Sequence, residues 1–129
     1  MAQFVIEGDL LSLQLSWQEK VWAFHRDIRV PLSGVRSVTT PNNVWLDMRG
    51  WRMAGVTFPG AIALGTRRHG NGYDFVAVHG HRPTVQVDLN GPPRWQRLLA
   101  SVDEGMDPAE VADRIAAAAG ITRWPEAES

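Results

Sequence analysis

Four histidines, His25, His69, His79 and His81, are the residues best suited to metal or acid–base chemistry. Only His79 and His81 stand close, separated by Gly80. On a strand their rings would share a face and take a metal together with a carboxylate. Gly80-His81-Arg82-Pro83 reads instead as a turn, where the two rings need not converge, and no third ligand has a fixed spacing from them. The chain has no cysteine, so thiolate metal sites and disulfides are excluded. No serine stands in a Gly-x-Ser-x-Gly elbow. Glu7 and Asp9 flank a turn, while Asp103 and Glu104 precede a helix. Gly55, Gly60 and Gly65 lack the spacing of a nucleotide-binding loop. The expectation is therefore a chain without catalytic residues, metal or cofactor.

A second group of residues is suited to binding. Trp45-Leu46-Asp47-Met48-Arg49-Gly50-Trp51-Arg52-Met53 brings two tryptophans, two arginines and two methionines into one segment. Trp, Met and Arg are enriched in interface hot spots, and Arg both stacks on Trp and pairs with anions. Arg67, Arg68 and Arg82 flank turn signals and join Arg49 and Arg52 as a candidate anion patch. The candidate binding set is Trp45, Arg49, Trp51, Arg52, Arg67, Arg68 and Arg82. If the tryptophans pack inward instead, the same segment closes the core and the arginines face solvent.

The elements that must position these residues are mostly strands. Gln3–Glu7 and Leu10–Leu15, split by Gly8-Asp9, read as a hairpin. Ser16 and Glu19 have capping-box spacing for a short helix from Trp17 to about Phe24, with Trp17, Val21 and Phe24 on one face. Asp27–Val30 is extended and ends at Pro31, and Val35–Thr39 is the next strand. Pro41 to Pro59 reads as a long irregular connection with one helical turn near Val44–Met48. Ala61–Arg67, Tyr73–His79 and Thr84–Leu89 follow as strands, and His69-Gly70-Asn71-Gly72 is a hairpin signal. In the third strand Val85, Val87 and Leu89 alternate with Gln86 and Asp88. Arg97–Val102 fits either a strand or a helical turn. The last element is a helix with Asp107 as N-cap, Pro108 at its first position and Glu110 at its third. Val111, Ile115 and Ala118 form its apolar stripe, widened by Ala112 and Ala119, and Gly120 stands where a left-handed C-cap belongs.

At 129 residues the expectation is one domain over residues 1–122 and a frayed tail over 123–129. Residues 1–102 hold eleven Lys/Arg against seven Asp/Glu, and residues 103–129 hold two against seven. The acids of the second part suit the start of the last helix, whose dipole favours negative charge. The overall charge of −1 argues against nucleic-acid binding. No apolar run is long enough for a transmembrane segment and no secretory leader is visible, so the expected location is cytoplasmic. Arginine outnumbers lysine twelve to one, the bias of a GC-rich genome.

Several stretches resemble small bacterial, actinobacterial-type domains of the pleckstrin-homology (PH) superfold. They are Arg29-Val30-Pro31-Leu32 with Val35-Arg36-Ser37-Val38, then Gly55 through Thr66, Asp74-Phe75-Val76-Ala77-Val78, and Arg82-Pro83-Thr84-Val85-Gln86-Val87. The resemblance implies a mainly β, α+β fold: a bent, partly open antiparallel barrel of about seven strands plus a capping C-terminal helix. Members of the superfold bind phosphoinositides, peptides or proteins, and some bacterial relatives form ring-like oligomers. Phosphoinositide binders gather Lys/Arg in the first hairpin, where this chain has Glu7-Gly8-Asp9. The expected function is a non-catalytic module that binds a protein partner or forms a homo-oligomer through the Trp45–Met53 segment or an exposed strand edge. The alternatives are a binder of a small anionic ligand or lipid head group through the arginines and, further off, a small hydrolase or metal-dependent enzyme.

Overall fold

The computed structural model describes residues 3–23, 27–41, 51–58, 61–69, 72–80, 82–90, 95–102 and 106–121. Among them are nine strands: β1 (Gln3–Glu7), β2 (Leu10–Gln14), β3 (Ile28–Pro31), β4 (Val35–Thr39), β5 (Trp51–Phe58), β6 (Ile62–His69), β7 (Gly72–His79), β8 (Thr84–Leu89) and β9 (Trp95–Ser101). Helix α1 (Trp17–Ala23) lies between β2 and β3, and helix α2 (Pro108–Ala119) follows β9.

The strands form two sheets rather than one barrel. The first is β1-β2-β3, antiparallel throughout. The second runs β4-β8-β9-β7-β6-β5. Its pairs are antiparallel except β7 with β9, which is parallel because β9 inserts between β7 and β8. That insertion corrects the expected antiparallel order and shows why Arg97–Val102 has no clear period. A strand covered on both faces needs no alternation, and Leu98, Leu99, Ala100 and Ser101 are all buried.

Pro41–Pro59 is corrected in the same way. Trp51–Phe58 is strand β5, paired along its length with β6. The register slips between Arg52 and Ala54, and Gly55 adopts φ 105°. These two irregularities erase the alternation that would have marked a strand. The helical turn expected near Val44–Met48 lies outside the described residues.

The main core sits between the first sheet, one face of the second sheet and α2. It combines Leu11, Leu13, Ile28 and Val30 with Phe75, Val85, Val87 and Leu98, and with Val111, Ala112, Ile115 and Ala116 of the helix. Each such side chain taken from water contributes about 1.5–3 kcal/mol. Helix α2 lies over β4 and β8 and reaches β1, while α1 packs on β5 and β6.

The caps form as the sequence requires. Asp107 accepts from the Ala109 N–H at 2.9 Å, and Gly120, at φ 73°, ends α2 with Ile121 N–H bonding the Ala116 carbonyl. The buried stripe of α2 takes in Ala116, whereas Ala118 is exposed. In α1 the Ser16–Glu19 capping box is present, with Ser16 N–H donating to Glu19 Oε1 at 3.0 Å and Glu19 N–H to Ser16 Oγ at 3.3 Å. Trp17 is 72% exposed, so it does not belong to an apolar face of α1. No helix among the described residues is long and apolar enough to cross a membrane.

Candidate functional site

Arginines from the expected binding set fall on a row that crosses all six strands of the larger sheet. Reading across the register, Arg52 of β5 stands opposite Arg67 of β6, and Arg67 opposite Asp74 of β7. Asp74 pairs with Arg97 of β9, Arg97 with Asp88 of β8, and Asp88 with Ser37 of β4. Asp74 and Asp88 are buried. Arg97 Nε donates to Asp88 Oδ1 at 2.6 Å, and the other carboxylate oxygen accepts from Ser37 Oγ at 3.1 Å and Gln86 Nε2 at 3.0 Å. Removing one partner of such a buried pair costs about 3–5 kcal/mol. The inner end of the row is thus structural.

The other members of the set are divided. Trp51 stands opposite Arg68 in the β5–β6 register. Arg68 is exposed and stands opposite Tyr73, which meets Trp95 edge to face with ring centroids 6.4 Å apart. Arg82 follows the far end of β7, six residues along from Tyr73, or about 20 Å in an extended strand. It therefore does not join Arg67 and Arg68 in one patch. Trp45 and Arg49 lie outside the described residues, as does His81.

His79 is tied to structure. Its Nε2 lies 2.9 Å from Glu19 Oε2, joining β7 to α1. Burial alone would raise the Glu19 carboxyl. The hydrogen bonds from His79, from the Ser16 N–H and from the Ser16 hydroxyl outweigh burial and hold the group below its ordinary value. Ser101 Oγ is close but accepts from the backbone N–H of His79 at 3.0 Å, and it lies 3.4 Å from Thr84 Oγ1. The hydroxyl meets the main chain rather than the imidazole, so the pairing of nucleophile with base is not made. Among the described residues no group of three His, Asp or Glu side chains is placed to hold a metal.

A concave site opens elsewhere. A cleft of about 390 Å³ lies between β1, the end of β9 and α2. Phe4, Val5 and Ile6 form one wall, Val111 and Ile115 the other, and Met106, 40% exposed, stands at the rim. Among the described residues Arg114 is the one ionisable side chain lining it. The strand on its wall is an edge, because β1 pairs with β2 alone among the described residues. The two-residue turn makes Glu7 and Leu10 the closing hydrogen-bonded pair. Alternation then points the backbone groups of Phe4 and Ile6 away from β2, along the cleft.

No local motif announces this site, since its walls come from the two ends of the chain. The legible part was the β1–β2 hairpin; that β1 lies at the edge follows from the pairing order β1-β2-β3. The polar row was half legible, because Gln86 and Asp88 stood on the alternate face of a valine strand. Asp74 and Arg97 needed the register to join them.

Comparison with protein-family models, with curated proteins and with solved structures finds no match to this chain.

Proposed function

We propose that this chain is a non-catalytic interaction module, and that its docking surface is the cleft between the edge of β1 and helix α2. The observation that carries the reading is the pairing of an edge strand with an apolar cleft along its length. Such an edge supplies main-chain hydrogen bonds to an added strand, and the cleft takes that strand's side chains. An exposed edge is ordinarily blunted by charge, proline or a bulge. The middle of β1 reads Phe4-Val5-Ile6, with none of these.

Ile6→Pro tests the reading. Proline at this position removes the N–H that points into the cleft and leaves the β1–β2 ladder its donors. The variant should keep its far-UV circular dichroism while losing binding of extended peptides. Undiminished binding by a folded Ile6→Pro protein would remove the cleft from the account.

A second reading, capture of a small anion, draws on Arg52, Arg67 and Arg68 gathered on β5 and β6. It is the lesser reading because Arg67 and Arg68, adjacent on β6, alternate to opposite faces of the sheet, and an acid, Asp74, stands opposite Arg67 in the register.

A further inference from the structure

We infer that the segment taken up by the cleft belongs to a different protein, is extended, and carries apolar side chains with one carboxylate that settles on Arg114. The inference rests on the docking reading above and adds the chemistry of the partner.

Length comes from β1. Its outward-facing residues, Phe4 and Ile6, each offer one N–H and one C=O, so a complementary strand needs about four or five extended residues to use all four groups. Gln3 and Ser101 also line the cleft, but its character comes from the apolar surface of Phe4, Ile6, Val111 and Ile115. A polar side chain pressed there would lose its water without replacement.

Charge comes from Arg114. It is exposed on α2 and makes no ion pair with a described residue, although Glu110 stands one turn earlier on the same helix. Among the described residues Arg114 is the one charged side chain lining the cleft, and a guanidinium there favours a carboxylate and repels a cation.

The same observation argues against β1 of a second copy as the occupant. If β1 of another copy entered the cleft, its only acid would be Glu7. That carboxylate is already engaged by Arg29 Nε at 3.5 Å and by Gln14 Nε2 at 3.0 Å. Self-pairing would leave Arg114 unanswered or break both contacts.

The probe is a set of blocked seven-residue peptides in which apolar residues alternate with threonine. A single aspartate is moved through each position, and a matched set carries lysine instead. Binding is measured by fluorescence anisotropy on the full chain, on Arg114→Glu and on Ile6→Pro, with light scattering of each protein alone. The wild type should prefer the aspartate form of at least one peptide, with affinity falling as salt rises. In Arg114→Glu the aspartate-to-lysine preference should drop by about tenfold or invert. Ile6→Pro should lose both forms.

An aspartate preference unchanged in Arg114→Glu, with binding still lost in Ile6→Pro, overturns the carboxylate assignment and leaves the cleft standing. Equal binding by Ile6→Pro and wild type overturns both. Absence of binding by every peptide up to about 1 mM, or a wild-type dimer that Ile6→Pro abolishes, overturns the heterologous partner.

Discussion

Glu19 serves two elements with one carboxylate. Oε1 closes the capping box of α1, and Oε2 reaches His79 on β7. The group is held ionised below its usual value of 4.5, so its contribution to stability has a definite sign. It is fully present above the unfolded value and is lost as pH falls through the lower folded one. Thermal melts between about pH 5 and pH 3 should therefore show a shallower acid-induced fall for Glu19→Gln than for the wild type. Equal slopes would mean that the hydrogen bonds from His79 and Ser16 do not hold the carboxyl below its ordinary value in solution. The capping half of this arrangement was legible, because Ser16 and Glu19 have the spacing a helix start needs. The histidine half was not, since sixty residues separate the partners and only the packing of α1 on the larger sheet joins them.

Elements were legible where local signals agreed and illegible where burial replaced them. The hairpin, the cap of α2 and the alternating strand Thr84–Leu89 carry their own marks. Strand β5 does not, because a register slip and Gly55 break its period. Gly55 has a further role at this scale. Its backbone lies so close to β6 that an added Cβ would overlap the Leu64 carbonyl oxygen, and its positive φ disfavours any other residue. Gly55→Ala should cost about 3 kcal/mol or more, read from chemical denaturation. A near-neutral result would mean that β5 can draw away from β6 without loss.

At the scale of the whole molecule, mainly β structure closed by a capped C-terminal helix was readable from the chain. The arrangement in two sheets was not, because it depends on where β9 goes. Its insertion makes it a central strand, flanked by β7 and β8 and buried on both faces, while β1 remains at a margin. Protection from solvent should follow that order. Amide hydrogen exchange is expected to be slowest in Leu98–Ala100 and far faster at Phe4 and Ile6. Equal rates in the two strands would contradict the assigned order of the sheet.

The central place of β9 also bears on how the chain is made. Synthesis runs from the N-terminus, so β7 and β8 leave the ribosome before the strand that will lie between them. Until residues 95–101 have followed, each presents an open side with no lasting neighbour, and joining them too early would shut β9 out. Completion of the larger sheet thus waits for residues 95–101, which join β4 and β8 to the three strands β5, β6 and β7.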